Sequence, residues 1–110
     1  MNITIETLQK YLLERYGTWA NEQGLFLKLV EELGEVAEVI NMRSGAKKAT
    51  DKDLKIELGT ELADMIHYIV AIAAINNIDL ESVMLEKDKR SSKKYNHDIN
   101  LEEYISKQDK

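Results

Sequence analysis

Hydrophobic residues recur at helical spacing in four segments of this chain, which comprise residues 4–17, 24–45, 51–77 and 79–95. In the first segment, for example, Ile5, Leu8 and Leu12 lie three or four residues apart, the spacing that places side chains on one face of an α-helix. The pattern predicts an all-α protein, a four-helix-type bundle.

The second and third segments each have a predicted apolar face. In the second segment it comprises Leu25, Leu29, Leu33, Val36 and Ile40. In the third it comprises Leu54, Leu58, Leu62, Met65, Ile69 and Ile72. From Met65 to Ile75 the third segment is apolar nearly all round, which is typical of a helix buried on every side. A domain this small has difficulty covering such a helix, so we expect a second copy of the chain to help and the protein to be oligomeric.

Residues that favour helix ends flank the segments. Gly17 and Gly45 are the predicted stops of the first two helices. Asp51 or Asp53 is the predicted N-cap of the third helix, and Asp79 that of the fourth, because a short side-chain oxygen accepts hydrogen bonds from free backbone N–H groups.

The length of 110 residues fits a single domain spanning residues 1–110. We expect its core in residues 1–95, followed by a polar tail at 96–110 that is partly disordered. Alternatively, the tail lies across a neighbouring subunit through Leu101, Tyr104 and Ile105.

Composition excludes several classes of protein. The chain has no cysteine, which excludes disulfides and thiolate metal sites. Its net charge of -5 argues against binding a nucleic acid polymer, which favours a basic face. The longest apolar run is about half a membrane span and contains His67, and the N-terminus lacks the features of a signal peptide. We therefore expect a cytoplasmic protein without a membrane partner.

Two pairs of carboxylates border the predicted apolar faces. Glu32 and Glu35 lie one turn apart in the second helix, and Glu61 and Asp64 are spaced identically in the third. Like charges at this spacing repel each other, so each pair weakens its helix slightly. Charge on a solvated surface is the alternative interpretation of each pair alone.

A glycine accompanies each pair, Gly34 in the second helix and Gly59 in the third. Each destabilises a helix by roughly 1 kcal/mol relative to alanine. Because glycine lets backbones approach closely, we expect the two helices to cross there and the four carboxylates to converge. Such a cluster needs protons or divalent cations, and oxygen ligands favour magnesium, with manganese or calcium as alternatives.

The sequences "EELGE" (31–35) and "ELAD" (61–64) resemble the E-E-x-x-E … E-x-x-D signature of the MazG-like all-α nucleoside triphosphate pyrophosphohydrolases. The resemblance extends over residues 25–95. It implies magnesium-dependent hydrolysis of nucleoside triphosphates to monophosphate and pyrophosphate by a homodimer or homotetramer. The implied metal ligands are Glu32, Glu35, Glu61 and Asp64.

The same resemblance implies substrate contacts from the basic segment after the third helix. Lys87, Lys94 and Tyr95 match the family pattern, whereas Ser91 replaces its usual asparagine. A solvated helix end is the alternative for the lysines. Trp19 is a candidate wall for the nucleobase, with core or interface packing as its alternative. Weaker phosphate-binding candidates are Arg43, Lys47 and Lys48.

We predict a magnesium-dependent or manganese-dependent hydrolase of (deoxy)nucleoside triphosphates that cleans the nucleotide pool. Glu32 or Glu35 is the predicted catalytic group that orients the attacking water or accepts its proton. The alternative is a non-catalytic helical oligomer that binds a nucleotide or a protein partner. His67 is predicted to be a packed histidine with a hydrogen-bonded ring. The sequence does not decide which base and sugar are preferred, which phosphorus is attacked or how many metal ions are bound.

Overall fold

The computed structural model describes residues 1–45 and 51–108, without the side chains of residues 51 and 52. These residues form five helices: α1 Ile5–Tyr16, α2 Glu22–Ser44, α3 Asp51–Ile75, α4 Leu80–Lys94 and α5 Leu101–Gln108. The predicted all-α class is confirmed, and α1 to α4 match the four predicted segments to within two residues. Lys47 and Lys48 lie outside the described residues.

Side-chain caps explain where three helices begin. The side chains of Thr4, Asn21 and Asp79 accept hydrogen bonds from backbone N–H groups in the first turns of α1, α2 and α4. The predicted N-cap at Asp79 is therefore confirmed. The N-cap predicted at Asp51 or Asp53 is wrong because both residues lie inside α3, which begins at Asp51, and the position before Asp51 is outside the described residues.

The chain turns out of α3 at Asn77, which has a positive φ of 54°. The N–H of Ile78 donates to the carbonyl oxygen of Ala73 (3.0 Å), and that of Asn77 donates to the carbonyl oxygen of Ala74 (3.2 Å). These two bonds form a Schellman motif, in which asparagine occupies the left-handed position that glycine usually takes.

Residues Met1–Ile78 form one compact unit, in which α3 packs against both α1 and α2. The Nδ2 of Asn76, just after α3, donates to Oε1 of Glu22, the first residue of α2 (2.9 Å), so α2 and α3 run in opposite directions. The core consists of one large set of buried apolar residues: Leu12, Tyr16, Leu25, Val36, Val39, Leu54, Val70, Ala71, Ala73 and Ala74. The small residues of α3 allow its neighbours to approach closely.

Residues Asp79–Lys110 form a second compact unit, containing α4 and α5. The carboxylate of Asp88 accepts a hydrogen bond from the N–H of Leu101 (2.6 Å), and Lys89 pairs with Glu102 (3.2 Å). Although part of the tail was predicted to be disordered, residues Leu101–Gln108 form a helix. The single-domain organisation of the chain stays a prediction.

Several residues predicted to lie in the core are instead exposed in the single chain. Leu33 and Ile40 of α2, and Leu62 and Ile69 of α3, each keep at least 41% of their surface accessible. The physical reason is that no described element of the first unit covers this side of the helix pair. Together with neighbouring exposed side chains they form what we call the apolar stripe: Phe26, Val30, Leu33, Ile40, Leu62, Ile66 and Ile69.

Helix α3 also corrects the expectation that no segment reaches membrane-spanning length. Its residues Asp53–Ile75 are long and apolar enough to cross a bilayer by length and composition alone, with a mean hydropathy of 1.5 over an 18-residue window. The core helix of a soluble protein passes the same test, so one such helix is weak evidence for a membrane. Val70, Ala71 and Ala74 are buried among the helices of the first unit, whereas only 22% of the apolar window as a whole is buried in the single chain.

Candidate functional site

Helices α2 and α3 bring three of the predicted carboxylates together. One oxygen from each of Glu32, Glu61 and Asp64 lies within 4.8 Å of the other two, and all three residues are partly buried. Glu32 comes from α2, whereas Glu61 and Asp64 lie one turn apart on α3. The packing of the two helices therefore produces the convergence that the sequence predicts.

Glu35, the fourth predicted carboxylate, reaches the same cluster through Glu61. Hydrogen-bonding contact with Glu35 and then Glu32, followed by burial and the repulsion of their negative charges, raises the pKa of Glu61 to about 8. Glu35 itself is more exposed than the other three. Glu61 is thus the residue of the cluster that contacts both Glu35 and Glu32. At neutral pH its carboxyl group is protonated unless a bound cation replaces the proton.

The buried oxygens of the cluster fit a hard divalent cation. Oε2 of Glu32 and Oε2 of Glu61 are buried and have no hydrogen-bond partner among the described residues. A buried polar atom without a partner is destabilising, and a metal ion satisfies a carboxylate oxygen directly. A purely carboxylate donor set suits magnesium or manganese.

The neighbouring carboxylates have ordinary surface positions. Glu57, one turn before Glu61, is exposed. Oε2 of Glu31 lies 3.4 Å from Nζ of Lys28 in an exposed ion pair. Neither Glu31 nor Glu57 therefore belongs to the group of converging carboxylate oxygens.

The predicted role of the glycines is wrong within the single chain. A Cβ atom added to Gly34 or Gly59 would meet nothing within 4 Å. Neither glycine therefore marks a close crossing of α2 and α3. The contacts of the described residues offer no explanation for them.

An aromatic pocket of about 310 Å³ opens in the first unit, where α1 ends and α2 begins. Its walls include the rings of Tyr16, Trp19 and Tyr68, while Asn21 and Lys28 contribute polar groups. The centroids of the Tyr16 and Trp19 rings are 5.5 Å apart. Trp19 therefore lines a pocket whose walls suit a flat aromatic ring, and its role in binding a nucleobase stays a prediction.

Tyr68 connects the pocket to the carboxylates. Burial raises the pKa of its hydroxyl, with smaller effects from Tyr16, Glu32 and Asp64, whereas Lys28 acts in the opposite direction. Tyr68 was not among the predicted site residues. Its position four residues after Asp64, one turn further along the same face, is the signal that points to it.

His67 has the hydrogen-bonded ring that its sequence context predicts. Its Nε2 lies 2.7 Å from the hydroxyl oxygen of Tyr16. Burial lowers the pKa of the imidazole, the positive charge of Arg15 lowers it further, and Asp64 opposes the shift. The lowered pKa favours a neutral imidazole, and its tautomer decides which of the two atoms, His67 Nε2 or Tyr16 Oη, donates the proton.

Of the predicted substrate residues in the second unit, Lys94 and Tyr95 lie at the end of α4, and Lys87 lies in the middle of that helix. Nζ of Lys94 is 5.3 Å from the centroid of the Tyr95 ring, and that ring stacks on His97 with centroids 6.3 Å apart. Lys87 is exposed on α4, and the carbonyl of Ser91 accepts the N–H of Tyr95. The binding of substrate by Lys87, Lys94 and Tyr95 stays a prediction.

Comparison with known proteins gives consistent matches. The family model described as MazG nucleotide pyrophosphohydrolase domain matches residues 20–97. The dCTP pyrophosphatase 1 of Rattus norvegicus is 33% identical over 76 residues, which cover 66% of this chain and 45% of that protein. The Mus musculus protein of the same name is 32% identical over the same shares of the two chains. The chain thus spans less than half the length of these curated relatives.

A solved structure shares the fold. The crystal structure of iMazG from Vibrio DAT 722 superimposes with a TM-score of 0.67 and 29% sequence identity. The match covers 86% of this chain and 100% of that one.

Proposed function

Because the chain belongs to the MazG nucleotide pyrophosphohydrolase family, we propose that it hydrolyses nucleoside triphosphates to the monophosphate and pyrophosphate with magnesium as cofactor. The observation that carries this proposal is the convergence of Glu32, Glu61 and Asp64, with two buried carboxylate oxygens that lack a partner among the described residues. A surface patch kept only for solubility would have its charges spread out in water.

The four carboxylates have different positions, which suggest different roles. Glu32, Glu61 and Asp64 would hold the cation, with Glu35 completing the set through its contact with Glu61. Magnesium, when bound, supplies positive charge that neutralises the phosphates and makes a bound water more acidic. Glu35, the most exposed of the four, is best placed to orient the attacking water or accept its proton, and Glu32 is the second candidate.

The aromatic pocket gives the proposal a place for the nucleobase. Tyr16, Trp19 and Tyr68 provide flat apolar walls, and Lys28 adds a positive charge at the pocket. Two mammalian relatives are named for dCTP, so dCTP is the first substrate to test. We propose that Lys87 and Lys94 contact the phosphates and that Tyr95 also contacts the substrate. We propose that this activity serves to clean the nucleotide pool of the cytoplasm.

The activity is tested with a panel of ribonucleoside and deoxyribonucleoside triphosphates, including modified bases. In magnesium we expect monophosphate and pyrophosphate in equal amounts from at least one substrate, and no product in chelator. Binding without turnover across the panel would favour the non-catalytic helical oligomer. Release of diphosphate and orthophosphate would contradict cleavage to pyrophosphate.

We further propose that the protein is a homodimer or homotetramer whose interface includes the apolar stripe. Among its members, Ile66 is 50% exposed in the single chain, and this many exposed large apolar side chains on two packed helices favour a partner.

Ile66→Asp should shift sedimentation of the protein at micromolar concentration towards the monomer, because a charge would be buried at the interface. Leu13→Asp is the matched control, since Leu13 is also an exposed apolar residue but lies on α1 outside the stripe. A wild-type protein that sediments as a monomer would contradict the interface.

A further inference from the structure

Four aromatic rings form a continuous series of contacts in the first unit. Ring centroids are 5.5 Å apart for Trp19 and Tyr16, 5.6 Å for Tyr16 and His67, and 5.0 Å for His67 and Tyr68. Tyr16, Trp19 and Tyr68 line the aromatic pocket, but His67 does not. His67 therefore contacts two walls of the pocket without belonging to its surface.

The contact of His67 with Tyr16 is directional. The Tyr16 hydroxyl and His67 Nε2 form a hydrogen bond of 2.7 Å between residues that are 51 positions apart in the sequence. Tyr16 is the last residue of α1 and is only 7% exposed, so water has little access to replace the imidazole as partner of its hydroxyl. The hydrogen bond therefore joins the end of α1 to α3 and fixes the position of the Tyr16 hydroxyl.

The rings of His67 and Tyr16 meet edge to face, with an angle of 85° between their planes, and those of His67 and Tyr68 with an angle of 76°. This geometry is favourable for aromatic pairs and restricts rotation of both tyrosine rings. Asp64 lies one turn before His67 on α3. The same two turns of α3 thus carry a carboxylate of the cluster and the residue that holds the pocket walls.

We propose that His67 is a positioning residue that holds Tyr16 and Tyr68 in the orientation that receives the aromatic base of a nucleotide. Its Nε2 anchors Tyr16, its ring packs against Tyr68, and it does not touch the substrate. The identification of the ligand as a nucleotide rests on the proposed function.

Three substitutions separate this role from simple packing. Tyr16→Phe removes only the hydroxyl, and His67→Leu removes the hydrogen-bond partner of that hydroxyl while keeping an apolar side chain. His67→Gln keeps an amide oxygen at about the reach of Nε2. The matched control is Tyr11→Phe, since the Tyr11 hydroxyl also lies on α1 and accepts a hydrogen bond from Arg15 (3.3 Å) but belongs to an exposed residue outside the pocket.

Trp19 is the single tryptophan of the chain, so its fluorescence reports on the pocket directly. Titration with dCMP in chelator measures binding without turnover. We expect Tyr16→Phe and His67→Leu each to weaken binding about three- to tenfold, the effect of losing one ordering hydrogen bond. With magnesium and dCTP, the loss should fall on KM, while kcat stays within about twofold because the carboxylates are untouched.

His67→Gln should bind within about twofold of wild type, and the double variant Tyr16→Phe/His67→Leu should be no weaker than either single variant, since both partners of one bond are then absent. The positioning role is overturned by wild-type affinity in folded His67→Leu, by a His67→Gln as weak as His67→Leu, or by a loss confined to kcat. If His67→Leu melts too low to assay, Tyr16→Phe decides, because its ring is retained.

A different result would overturn the proposed function without overturning the positioning role. A wild-type protein that binds dCMP but releases no pyrophosphate from any triphosphate would overturn the hydrolase and leave the positioning role standing. Near-ultraviolet circular dichroism of the ligand-free protein gives a readout without nucleotide. The Trp19 band should change in His67→Leu and be retained in His67→Gln, and an unchanged band in His67→Leu would overturn the ordering of the rings.

Discussion

Replacing Glu61 by glutamine should lower pyrophosphate release from the best triphosphate substrate by at least about 100-fold, in the range seen when one group that stabilises transition-state charge is lost. The substitution keeps the size of the side chain but removes the negative charge at the centre of the cluster. Glu61 is in contact with Glu35 and Glu32, and its oxygen lies within 4.8 Å of those of Glu32 and Asp64. Glu35→Gln and Asp64→Asn should have losses of similar size, measured as kcat/KM at saturating magnesium.

The matched control for this loss is Glu57→Gln. Glu57 lies one turn before Glu61 on α3 but is exposed, and it has no place in the group of converging oxygens. Its replacement should leave kcat/KM nearly unchanged. If Glu61→Gln retains turnover close to the wild-type rate while its helical circular dichroism is normal, Glu61 does not belong to the site.

Stability without metal should fall as the pH rises through the neutral range. The pKa of Glu61 is raised to about 8 in the folded protein, above its value in the unfolded chain. The folded protein therefore keeps a proton that the unfolded chain has released. The contribution of this proton to stability is full below the ordinary glutamate pKa and is lost as the pH rises from about 5 to about 8.

Magnesium should reverse this dependence, because it binds the assembled, ionised cluster and not the unfolded chain. At 100 times its dissociation constant it should raise the melting temperature by roughly 10 °C. Glu61→Gln, and less strongly Glu35→Gln, should raise the melting temperature in chelator at pH 8 and reduce the gain from magnesium.

Thermal melts of wild type and variants, at pH 5 and pH 8 and with chelator or excess magnesium, check these signs. Glu57→Gln should behave as wild type in all four conditions. A Glu61→Gln protein that melts lower than wild type in chelator and gains equally from magnesium would show that the carboxylates do not act as one cluster.

The hydrophobic pattern predicted the first four helices well, because periodicity and caps are local. Asp79, for example, caps α4 as its side-chain chemistry predicts. The pattern was less informative about which apolar residues are buried. Leu33 and Val36 are both apolar positions of the same predicted face, yet Leu33 is 53% exposed and Val36 is buried. The helical spacing of hydrophobic residues does not distinguish residues in the core of one chain from residues on a surface that binds a partner.

The site was predictable where its residues share a helix face and a family signature, as Glu61 and Asp64 do. The aromatic pocket was not, because it depends on the meeting of α1 with α3. Tyr16 and His67 are 51 positions apart. The spacing of hydrophobic residues within either helix therefore does not predict their contact. The predicted close crossing at the glycines was wrong for a related reason. It was inferred only from the cost of glycine to helix stability, and no described atom lies within 4 Å of the added Cβ positions.

The most direct measurement of the metal site is an anomalous difference map from crystals grown with manganese and a non-hydrolysable triphosphate analogue. Manganese replaces magnesium in oxygen sites and scatters anomalously. The expected result is a peak at roughly 2.0–2.3 Å from carboxylate oxygens of Glu32, Glu61 and Asp64, with phosphate oxygens completing its coordination. Ordered triphosphate with no peak at these three carboxylates would contradict the proposed metal centre, and with it the role of the cluster in hydrolysis.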